Sequence, residues 1–338
     1  MVNVNDFSFS RPIGKNDALS VYLGNKEIPI SSFTATFAFD AFSHSFQIST
    51  PAKIPQFTNE EIEIYLGETL IFTGLIFQNQ PDGTNFNISG KSLTSVLERS
   101  VNSPTAVAYT YRDISPLELA QSFSGRSGIK FTSNSPAANT KINQYEASDT
   151  ATAADVITGI CKENSLFVAA NAEDNTAELK HLKTFGDKIF SLDTASPNIP
   201  FENLNVEFNS AALYSNYIGI SDADENKLTT ISERVLPQAP FYASKIVKPA
   251  KNQDVETALD SEISKSLIAA TKISFTLPFI VFNSKIIKPY DTFSLTAKRH
   301  LIDNREFTIT DISYSISANE LKSTITACLS SALFGVWE

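Results

Sequence analysis

The sequence predicts a mainly β protein with an α+β part: two small antiparallel β-barrel domains and a central α+β domain. Many short runs alternate apolar and polar residues with a period of two, which is the pattern of half-buried strands. The 338 residues include 25 Phe and 10 Tyr, which pack well on pleated faces. Charged residues make up only 19%, and Ser, Thr and Asn fill polar positions, as suits strand surfaces.

The first barrel domain is predicted at residues 1–103. It opens with the alternating run "ALSVYL", which ends at Gly24-Asn25, a hairpin turn signal. Further alternating runs follow, and we expect Ser92 to cap a short terminal helix. Pro104 marks the exit from this domain.

The α+β domain is predicted at residues 104–200, as two helix–strand units. Each helix starts with Ser or Thr followed three residues later by an acid, the spacing of a capping box. The pairs are Ser115 with Glu118, and Thr152 with Asp155. The expected buried stripe of the first helix is Leu117, Ala120 and Phe123.

The second barrel domain is predicted at residues 201–338, with strands at about 203–235 and 273–331 and an inserted helical segment at about 236–272. Asn252 is the expected cap of the inserted helix. Its apolar stripe is predicted at Val255, Leu259, Ile263 and Leu267.

Two parts of the chain share one pattern of strand, turn, long interrupted strand, turn and strand. They are residues 61–90 and 291–330. The interruption is Gly74 in the first part. In the second it is a slip of the alternation, which predicts a β-bulge near Asp311. Both devices bend a strand, so we infer two related β domains within one chain.

Charge and cysteine content exclude some classes of function. The net charge is −10 and the pI about 4.9, so phosphate neutralisation by clustered Lys and Arg is not expected. Cys161 and Cys328 are the only cysteines and are predicted to be reduced and buried, in a reducing compartment. The N-terminus lacks the apolar region of a signal peptide, and no apolar run approaches the length of a membrane span.

Two motifs suggest ligands but have plainer interpretations. "SGKS", residues 89–92, resembles the end of a phosphate-binding loop, yet the upstream glycine of that motif is replaced by Asn85. "DADENKLTTISE" matches a calcium loop, although Lys227 stands where the invariant glycine belongs, so a polar hairpin loop is the default interpretation. The weak calcium candidates are Asp222, Asp224, Asn226, Thr230 and Glu233.

Catalytic patterns are not found, and no cofactor, metal or enzymatic activity is predicted. His44, His181 and His300 are the only histidines, and none has a neighbouring His or Cys at metal spacing. The chain has no G-x-S-x-G elbow, and "SGRSG" at residues 124–128 has the wrong spacing and is interpreted as a helix stop.

The order of these elements resembles the baseplate or tail hub family of tailed phages, which shares its fold with Mu-like tail proteins and the N-terminal region of the type VI secretion spike. The family's strand with a glycine, followed by a "GrS" turn and a short helix, corresponds to Gly74 and then Gly90-Lys91-Ser92, with Lys91 in place of the usual Arg. The matching stretches are Phe42–Pro51, Glu63–Ile76, Asn87–Ser100, Asp113–Phe131, Thr152–Ala170 and Asp291–Ser331.

The resemblance implies a structural protein of the virion tail, made and assembled in the host cytoplasm. Family members form homotrimers in which two barrels per chain build a ring of six. Such a ring adapts the sixfold tail tube to a threefold spike or tail-tip protein. The implied partners are a second copy, the tube protein, the spike or tip protein and the tape measure protein. DNA would pass through the channel without specific binding, which an acidic bore would favour.

Two alternatives remain open at this point. The chain could be the N-terminal module of a type VI secretion spike, although such spikes usually continue into a long needle. It could also be a cell-wall hydrolase carried by a tail, which the lack of a catalytic constellation opposes.

Overall fold

The structure is a computed structural model, and it describes residues 18–54, 60–100, 110–148, 150–181, 186–221, 231–236, 239, 242–249, 253–283, 285–317 and 320–334. The strands β1–β23 are, in chain order, Leu19–Leu23, Lys26–Ile28, Ser32–Ala38, Ser45–Thr50, Glu61–Leu66, Thr69–Asp82, Asn85–Ser92, Thr110–Ile114, Lys130–Thr132, Ile142–Glu146, Leu166–Ala170, Thr176–His181, Lys188–Asp193, Glu202–Phe208, Asn216–Ile220, Ile231–Val235, Ser244–Val247, Thr271–Leu277, Val281–Phe282, Lys285–Ile286, Thr292–Ala297, Ile302–Ser317 and Glu320–Leu329. The helices α1–α6 are Val96–Arg99, Pro116–Ser122, Ser124–Ser127, Pro136–Asn139, Ala153–Glu163 and Val255–Ala270.

A large sheet of 13 strands contains the same five-strand topology twice. The first copy, called here the N-unit, comprises β3 to β7 in the spatial order β3-β4-β7-β6-β5. The second copy, the C-unit, has the order β14-β18-β23-β22-β21. All neighbours within both units are antiparallel. The repeat therefore includes two strands per unit beyond the three that the sequence pattern predicted.

The strand register repeats as well. In each unit a small residue of the fifth strand lies between one residue of the second strand and one of the fourth. These sets are Gly90 with Phe46 and Ile76, and Ala327 with Ile273 and Ile309.

The long strand of each unit carries a bulge at the corresponding place. The register shift begins at Ile76 in β6 and at Ile309 in β22, in both cases seven residues after the strand's first residue, Thr69 or Ile302. The bulge predicted near Asp311 is confirmed. In β6 the shift lies just beyond Gly74 rather than at it.

The predicted closure into two barrels is not found among the described residues, where strand pairing follows an open path. The reason is that three of the four strands at the points of closure have other partners. In the N-unit, β3 pairs with β22 of the C-unit, and β5 pairs with β1. In the C-unit, β21 pairs in parallel with β13, a strand that precedes the unit in the chain.

The chain between the units forms a smaller body, called here the middle unit, with strands β8 to β12 and helices α2 to α5. Its hydrophobic core is separate from that of the large sheet and includes Leu119, Phe131, Ile157 and Leu179. The predicted helix and strand types are present, with the three-stranded order β11-β12-β9. Lys188–Asp193, which also lies within 104–200, belongs instead to the large sheet as β13.

Both predicted capping boxes are present. The Ser115 side chain accepts a hydrogen bond from the Glu118 N–H at 3.2 Å, and the Glu118 carboxylate accepts one from the Ser115 N–H at 2.9 Å. Thr152 and Asp155 bond in the same reciprocal way. The predicted stripe of α2 needs one correction, because Leu119 rather than Leu117 is fully buried.

A second small sheet, with the order β16-β15-β17, is inserted into the C-unit together with α6. The predicted stripe of α6 is confirmed, since all four residues are buried. Its cap is Asp254, whose carboxylate accepts a hydrogen bond from the Thr257 N–H at 2.8 Å, whereas the predicted cap Asn252 lies outside the described residues. Gly219 allows close packing here, because a Cβ atom at that position would lie 2.4 Å from Val255 Cγ1.

Candidate functional site

The segment Ala170–Glu173 of the middle unit contacts both halves of the large sheet, and the contact region is called here the junction. On the N-unit side, the Thr73 N–H donates to the Ala172 carbonyl at 2.6 Å and the Thr73 hydroxyl donates to the Glu173 carbonyl at 2.8 Å. On the C-unit side, the Lys288 ammonium lies 2.6 Å from the Glu173 carboxylate. A cavity of about 340 Å³ lies among these segments. The junction thus connects the three units of the fold.

His44 is buried at the junction in its neutral form. Its Nε2–H donates to the Ala170 carbonyl at 3.0 Å, which assigns the tautomer. Its Nδ1 has no hydrogen-bond partner among the described residues. Burial lowers the pKa of His44, and the bond to Ala170 opposes that shift only in part. His44 therefore contributes a fixed structural bond rather than a charge near neutral pH.

Asp291 is the carboxylate of the junction with the most altered acidity. Burial raises its pKa to about 6, although the Lys288 N–H, which donates to the carboxylate at 2.7 Å, acts in the opposite direction. Raised carboxylate pKa values occur in active sites, but they also occur in buried structural networks. Asp291 was not singled out in the sequence, because no neighbouring motif marks it.

Aromatic rings fill the rest of the junction. Tyr290 stacks on Phe167 of the middle unit at a centroid distance of 4.9 Å, and its hydroxyl donates to the Phe39 carbonyl. Tyr314 is fully buried and its hydroxyl donates to the Ile287 carbonyl. Both phenols donate to the main chain. Tyr290 contacts the middle unit and the N-unit, whereas the hydroxyl of Tyr314 bonds within the C-unit.

A wider cleft of about 820 Å³ lies between α5, α6 and the strands β22 and β23. Its charged lining is mixed in sign, with Lys162, Glu163, Glu262 and Lys265 among the residues. Glu262 is already paired with Lys245, at 2.6 Å. The cleft is a gap between units.

The "SGKS" motif forms the end of β7 and the start of a helical turn. The Lys91 ammonium pairs with the Glu98 carboxylate at 2.6 Å, so it is engaged by a protein anion. Ser92 accepts a hydrogen bond from the His44 N–H at 2.9 Å and makes no side-chain cap bond to the following turn, which corrects its predicted role. "SGRSG" forms α3 and ends at Gly128, whose φ of +73° allows the left-handed turn.

The remaining candidate residues are dispersed. Cys161 and Cys328 are both buried, and burial raises the pKa of each thiol to about 12, which makes them poor nucleophiles at neutral pH. His181 ends β12, and His300 is exposed in the turn before β22. Within the described ranges, no three His, Cys, Asp or Glu residues lie close enough to hold a metal ion.

The calcium loop can be compared with the structure at one position only. Asp222, Asp224, Asn226 and Thr230 lie outside the described residues. Glu233 lies in β16, where its side chain is exposed. Antiparallel pairing of β15 with β16 agrees with the predicted hairpin, whose flanks are strands rather than helices. Calcium binding stays a weak prediction.

One face of the small sheet carries exposed apolar side chains around the exposed carboxylate of Glu233. Alternate residues of β16 point toward α6, where the Arg234 guanidinium lies 2.5 Å from the Glu256 carboxylate. The intervening residues point to solvent, and Ile231, Val235 and Ile246 are each more than 60% exposed. Exposed apolar faces of this kind mark contacts with other proteins. No described helix is long and apolar enough to cross a membrane.

No protein-family model and no curated protein sequence matches the chain. Solved structures do match over nearly its whole length. The 43 kDa tail protein of prophage MuSo2 from Shewanella oneidensis is 13% identical with a TM-score of 0.76, and the match covers 94% of this chain and 99% of that one. A tail protein from Neisseria meningitidis MC58 also has 13% identity and a TM-score of 0.76, covering 94% and 98%.

A third match connects the fold to secretion systems. The E. coli c3393 protein, described as a component of the type VI secretion system with structural similarity to the T4 tail proteins gp27 and gp5, is 9% identical with a TM-score of 0.61, covering 95% of this chain and 79% of that one. The resemblance to the tail hub family is thus confirmed at the level of the fold, which this chain shares with phage tail and spike-related proteins.

Proposed function

We propose that the chain is a structural hub of the tail of a phage or phage-like particle and acts as a homotrimer. The observation that carries this proposal is the repeat of one five-strand topology, in the same register, within one chain. A threefold assembly of a chain with two similar units presents six similar units. A ring of that kind can meet a sixfold tube on one side and a threefold spike or tip on the other.

The proposed domain limits of 1–103, 104–200 and 201–338 follow this division. The separate core of the middle unit supports a body of its own between the two repeated units. The junction supports a rigid connection, because one segment of the middle unit bonds to Thr73 on one side and to Lys288 on the other. In a particle that bears mechanical load, such bonds would hold the two units of one chain in fixed register.

The proposed partners are a second copy, the tail tube protein, a spike or tip protein and the tape measure protein. The exposed apolar face of the small sheet supports contacts with other proteins. The net charge of −10 supports a channel through which DNA passes without binding. The proposed location is the tail of the virion, after assembly in the host cytoplasm.

A structural rather than enzymatic role is supported by the state of the reactive groups. The two thiols are buried and protonated, and the buried imidazole of His44 is bonded to a main-chain carbonyl. The N-terminal module of a type VI secretion spike remains a second candidate, because the match to the E. coli protein covers 95% of this chain.

Light scattering and electron microscopy of the purified chain test the proposal. We expect a particle of three times the 37.0 kDa chain mass and a ring with a central channel. Addition of the cognate tube protein should increase the ring fraction if the trimer is weak alone. A chain that stays monomeric with and without tube protein, or that degrades peptidoglycan, would contradict the hub and favour the hydrolase. Failure of tube binding together with binding of a needle-bearing segment would favour the spike module.

A further inference from the structure

We infer that neighbouring chains of the ring join by pairing β14 of one copy with the outer half of β6 of the next. This inference rests on the proposed homotrimer and assigns the residues of its interface. It starts from the contact that already joins the two units within one chain.

The contact within the chain is an antiparallel pairing of β3 in the N-unit with the outer half of β22 in the C-unit. It contains seven residue pairs, from Asp311 opposite Ala38 to Ser317 opposite Ser32. The pairing begins just after the bulge of β22, where β21 no longer occupies that edge of the strand. At the bulge, the strand that pairs with this edge of β22 therefore changes from β21 to β3.

Both partners of this contact have a counterpart in the other unit. By the shared topology, β14 corresponds to β3, and β6 corresponds to β22. The bulge of β6 likewise ends the pairing with β5, which stops at Leu75. Beyond Phe77, β6 pairs only with β7 among the described strands, and β14 pairs only with β18. Among the described strands, each chain thus has one unpaired equivalent of β3 and one unpaired equivalent of the outer half of β22.

Exposure of apolar side chains agrees with this arrangement. Phe208 of β14 corresponds to Phe37 of β3. Val206 and Ala35 pair with equivalent residues of the second strand in their units, and each phenylalanine lies two residues further along its strand. Phe37 is only 6% exposed and packs on Tyr314 of the other unit, at a centroid distance of 4.8 Å. Phe208 is 56% exposed in the single chain. A neighbouring copy whose β6 pairs with β14 as β22 pairs with β3 would cover Phe208.

The register of the proposed pair follows from the same correspondence. Thr36 lies opposite Ser313 within the chain, and their counterparts are Glu207 and Gln80. Pro81 lacks an N–H, so the pairing has fewer main-chain hydrogen bonds than the internal one. The Asn79 side chain donates to the Ile54 carbonyl at 3.0 Å, but no described strand pairs with its main chain on that side. Side-chain packing around Phe208 is therefore expected to contribute most of the affinity.

A second copy is the occupant that the geometry favours over an unrelated strand. The two free edges are different surfaces, so the contact between copies is head-to-tail, and head-to-tail contacts close into rings when the rotation permits. Three contacts within chains and three between chains would then alternate around six units. Strand addition at an exposed edge is a common mode of protein association.

Disulfide trapping in the full-length chain tests the register directly, because it captures contacts that form only transiently. The test pair is Gln80→Cys with Glu207→Cys, whose Cβ atoms would lie within about 5.5 Å across paired strands. The matched internal control is Thr36→Cys with Ser313→Cys. The mismatched control is Gln80→Cys with Leu301→Cys, since Leu301 is 93% exposed and lies outside the proposed contact.

We expect oxidation to give covalent dimers and trimers of the test pair on a non-reducing gel, only intrachain bonds in the internal control, and no ladder in the mismatched control. Equal ladders in the test and mismatched pairs, or none in the test pair while the internal control oxidises, would overturn the assigned interface. If wild-type light scattering still shows a trimer in that case, the hub proposal survives and only the interface is wrong.

A single substitution gives an independent measure. Phe208→Glu should weaken trimer formation about tenfold or more, as expected for a buried aromatic contact at an interface. Leu301→Glu, which changes another exposed apolar residue outside the proposed contact, should leave it unchanged. Circular dichroism of both variants verifies that the monomer fold is retained. Equal trimer stability of the folded Phe208→Glu variant and wild type would contradict the inference.

Discussion

A Cβ atom at Gly90 would lie 1.9 Å from the carbonyl oxygen of Leu75 on the neighbouring strand. The ring of Phe46 lies 2.6 Å from the same point on the other side. Gly74 shows a similar constraint, because its Cβ would lie 2.5 Å from the Lys91 carbonyl oxygen. The two glycines thus allow β6 and β7 to approach closely just before the bulge, where a side chain at either position would separate them.

Replacement of Gly90 by Ala should destabilise the fold through this steric conflict. We expect Gly90→Ala to lower the free energy of unfolding by about 2–4 kcal/mol, because the conflict is with a main-chain atom that cannot rotate away. Urea unfolding followed by circular dichroism measures the change. The matched control is Gly125→Ala, which has no atom within 4 Å of the added methyl group. Equal midpoints for the two variants would show that the strands can separate at little cost.

Local sequence signals predicted the capping boxes and the bulge, whereas the pairing between strands far apart in the chain could not be predicted from the sequence. The capping boxes at Ser115 and Thr152 and the bulge near Asp311 depend on spacing within a few residues, and all three are present. The pairing of β14 with β18 joins strands separated by the inserted small sheet and α6, so no local pattern marks it. Closure of the barrels was predicted from the alternating runs and the two bent strands, and no local pattern indicates that β22 pairs with β3.

Residues of the junction were missed for a related reason. Tyr314 acquires its environment from chain segments far away in sequence, such as Glu173 and Ile287, and Asp291 is influenced by the distant Asp187. Only a hydroxyl on an otherwise apolar face distinguishes Tyr314 within its strand. Its burial and the partner of its hydroxyl depend on the assembled units.

The buried imidazole of His44 should make stability depend on pH. Because burial lowers the pKa of His44, the unfolded chain binds a proton below pH of about 6.5 while the folded chain stays neutral, so stability is lost as pH falls through that range. We expect the free energy of unfolding to fall by up to about 1 kcal/mol per pH unit as the pH decreases below about 6.5. His44→Gln, which keeps a donor for Ala170, should flatten this slope in urea unfolding.

The control is His300→Gln, since His300 is exposed and its removal should leave the slope unchanged. If the unfolding free energy of His44→Gln keeps the wild-type dependence on pH, the His44 imidazole takes up a proton as readily in the folded chain as in the unfolded chain.

Asp291 should contribute with the opposite sign. Its pKa of about 6 exceeds the ordinary value of 3.8, so between those values the folded chain retains a proton that the unfolded chain releases, and stability falls as pH rises. Between those two pH values, Asp291→Asn should reduce the loss of unfolding free energy by about 1–2 kcal/mol. Unfolding free energies at several pH values measure it, with the exposed Asp303→Asn as control. A carboxylate that titrates near 4 in the folded chain would contradict this environment.

Calcium is expected to have no effect on stability. Glu233, the described member of the candidate set, lies on an exposed strand face, and Lys227 occupies the glycine position of the loop. Melting temperatures measured with millimolar calcium and with a chelator should agree. A calcium-dependent rise that Glu233→Gln abolishes would instead establish the site.

The bulge of β22 should be required for the contact between the two units. Thr310 is the extra residue of the bulge, and beyond it Ile312, Tyr314 and Ile316 face the core. Deletion of Thr310 shifts this half of the strand by one residue and would turn all three side chains to the opposite face. We expect a loss of more than about 4 kcal/mol or failure to fold, visible in the urea midpoint and in near-UV circular dichroism.

Thr310→Ala is the matched variant. It keeps the residue count and removes the γ-methyl group and the hydroxyl, which lies 2.8 Å from the Asp311 carboxylate and 3.2 Å from the Thr326 carbonyl, so a loss of about 1 kcal/mol is expected. Because the outer half of β22 pairs with β3 over seven residues, the deletion should also separate the N-unit from the C-unit. Limited proteolysis would then cut between them in the deletion variant and not in Thr310→Ala. A deletion variant with a wild-type midpoint would show that the strand can restore its phase without the bulge, and the internal contact would lose its value as a template for the contact between chains.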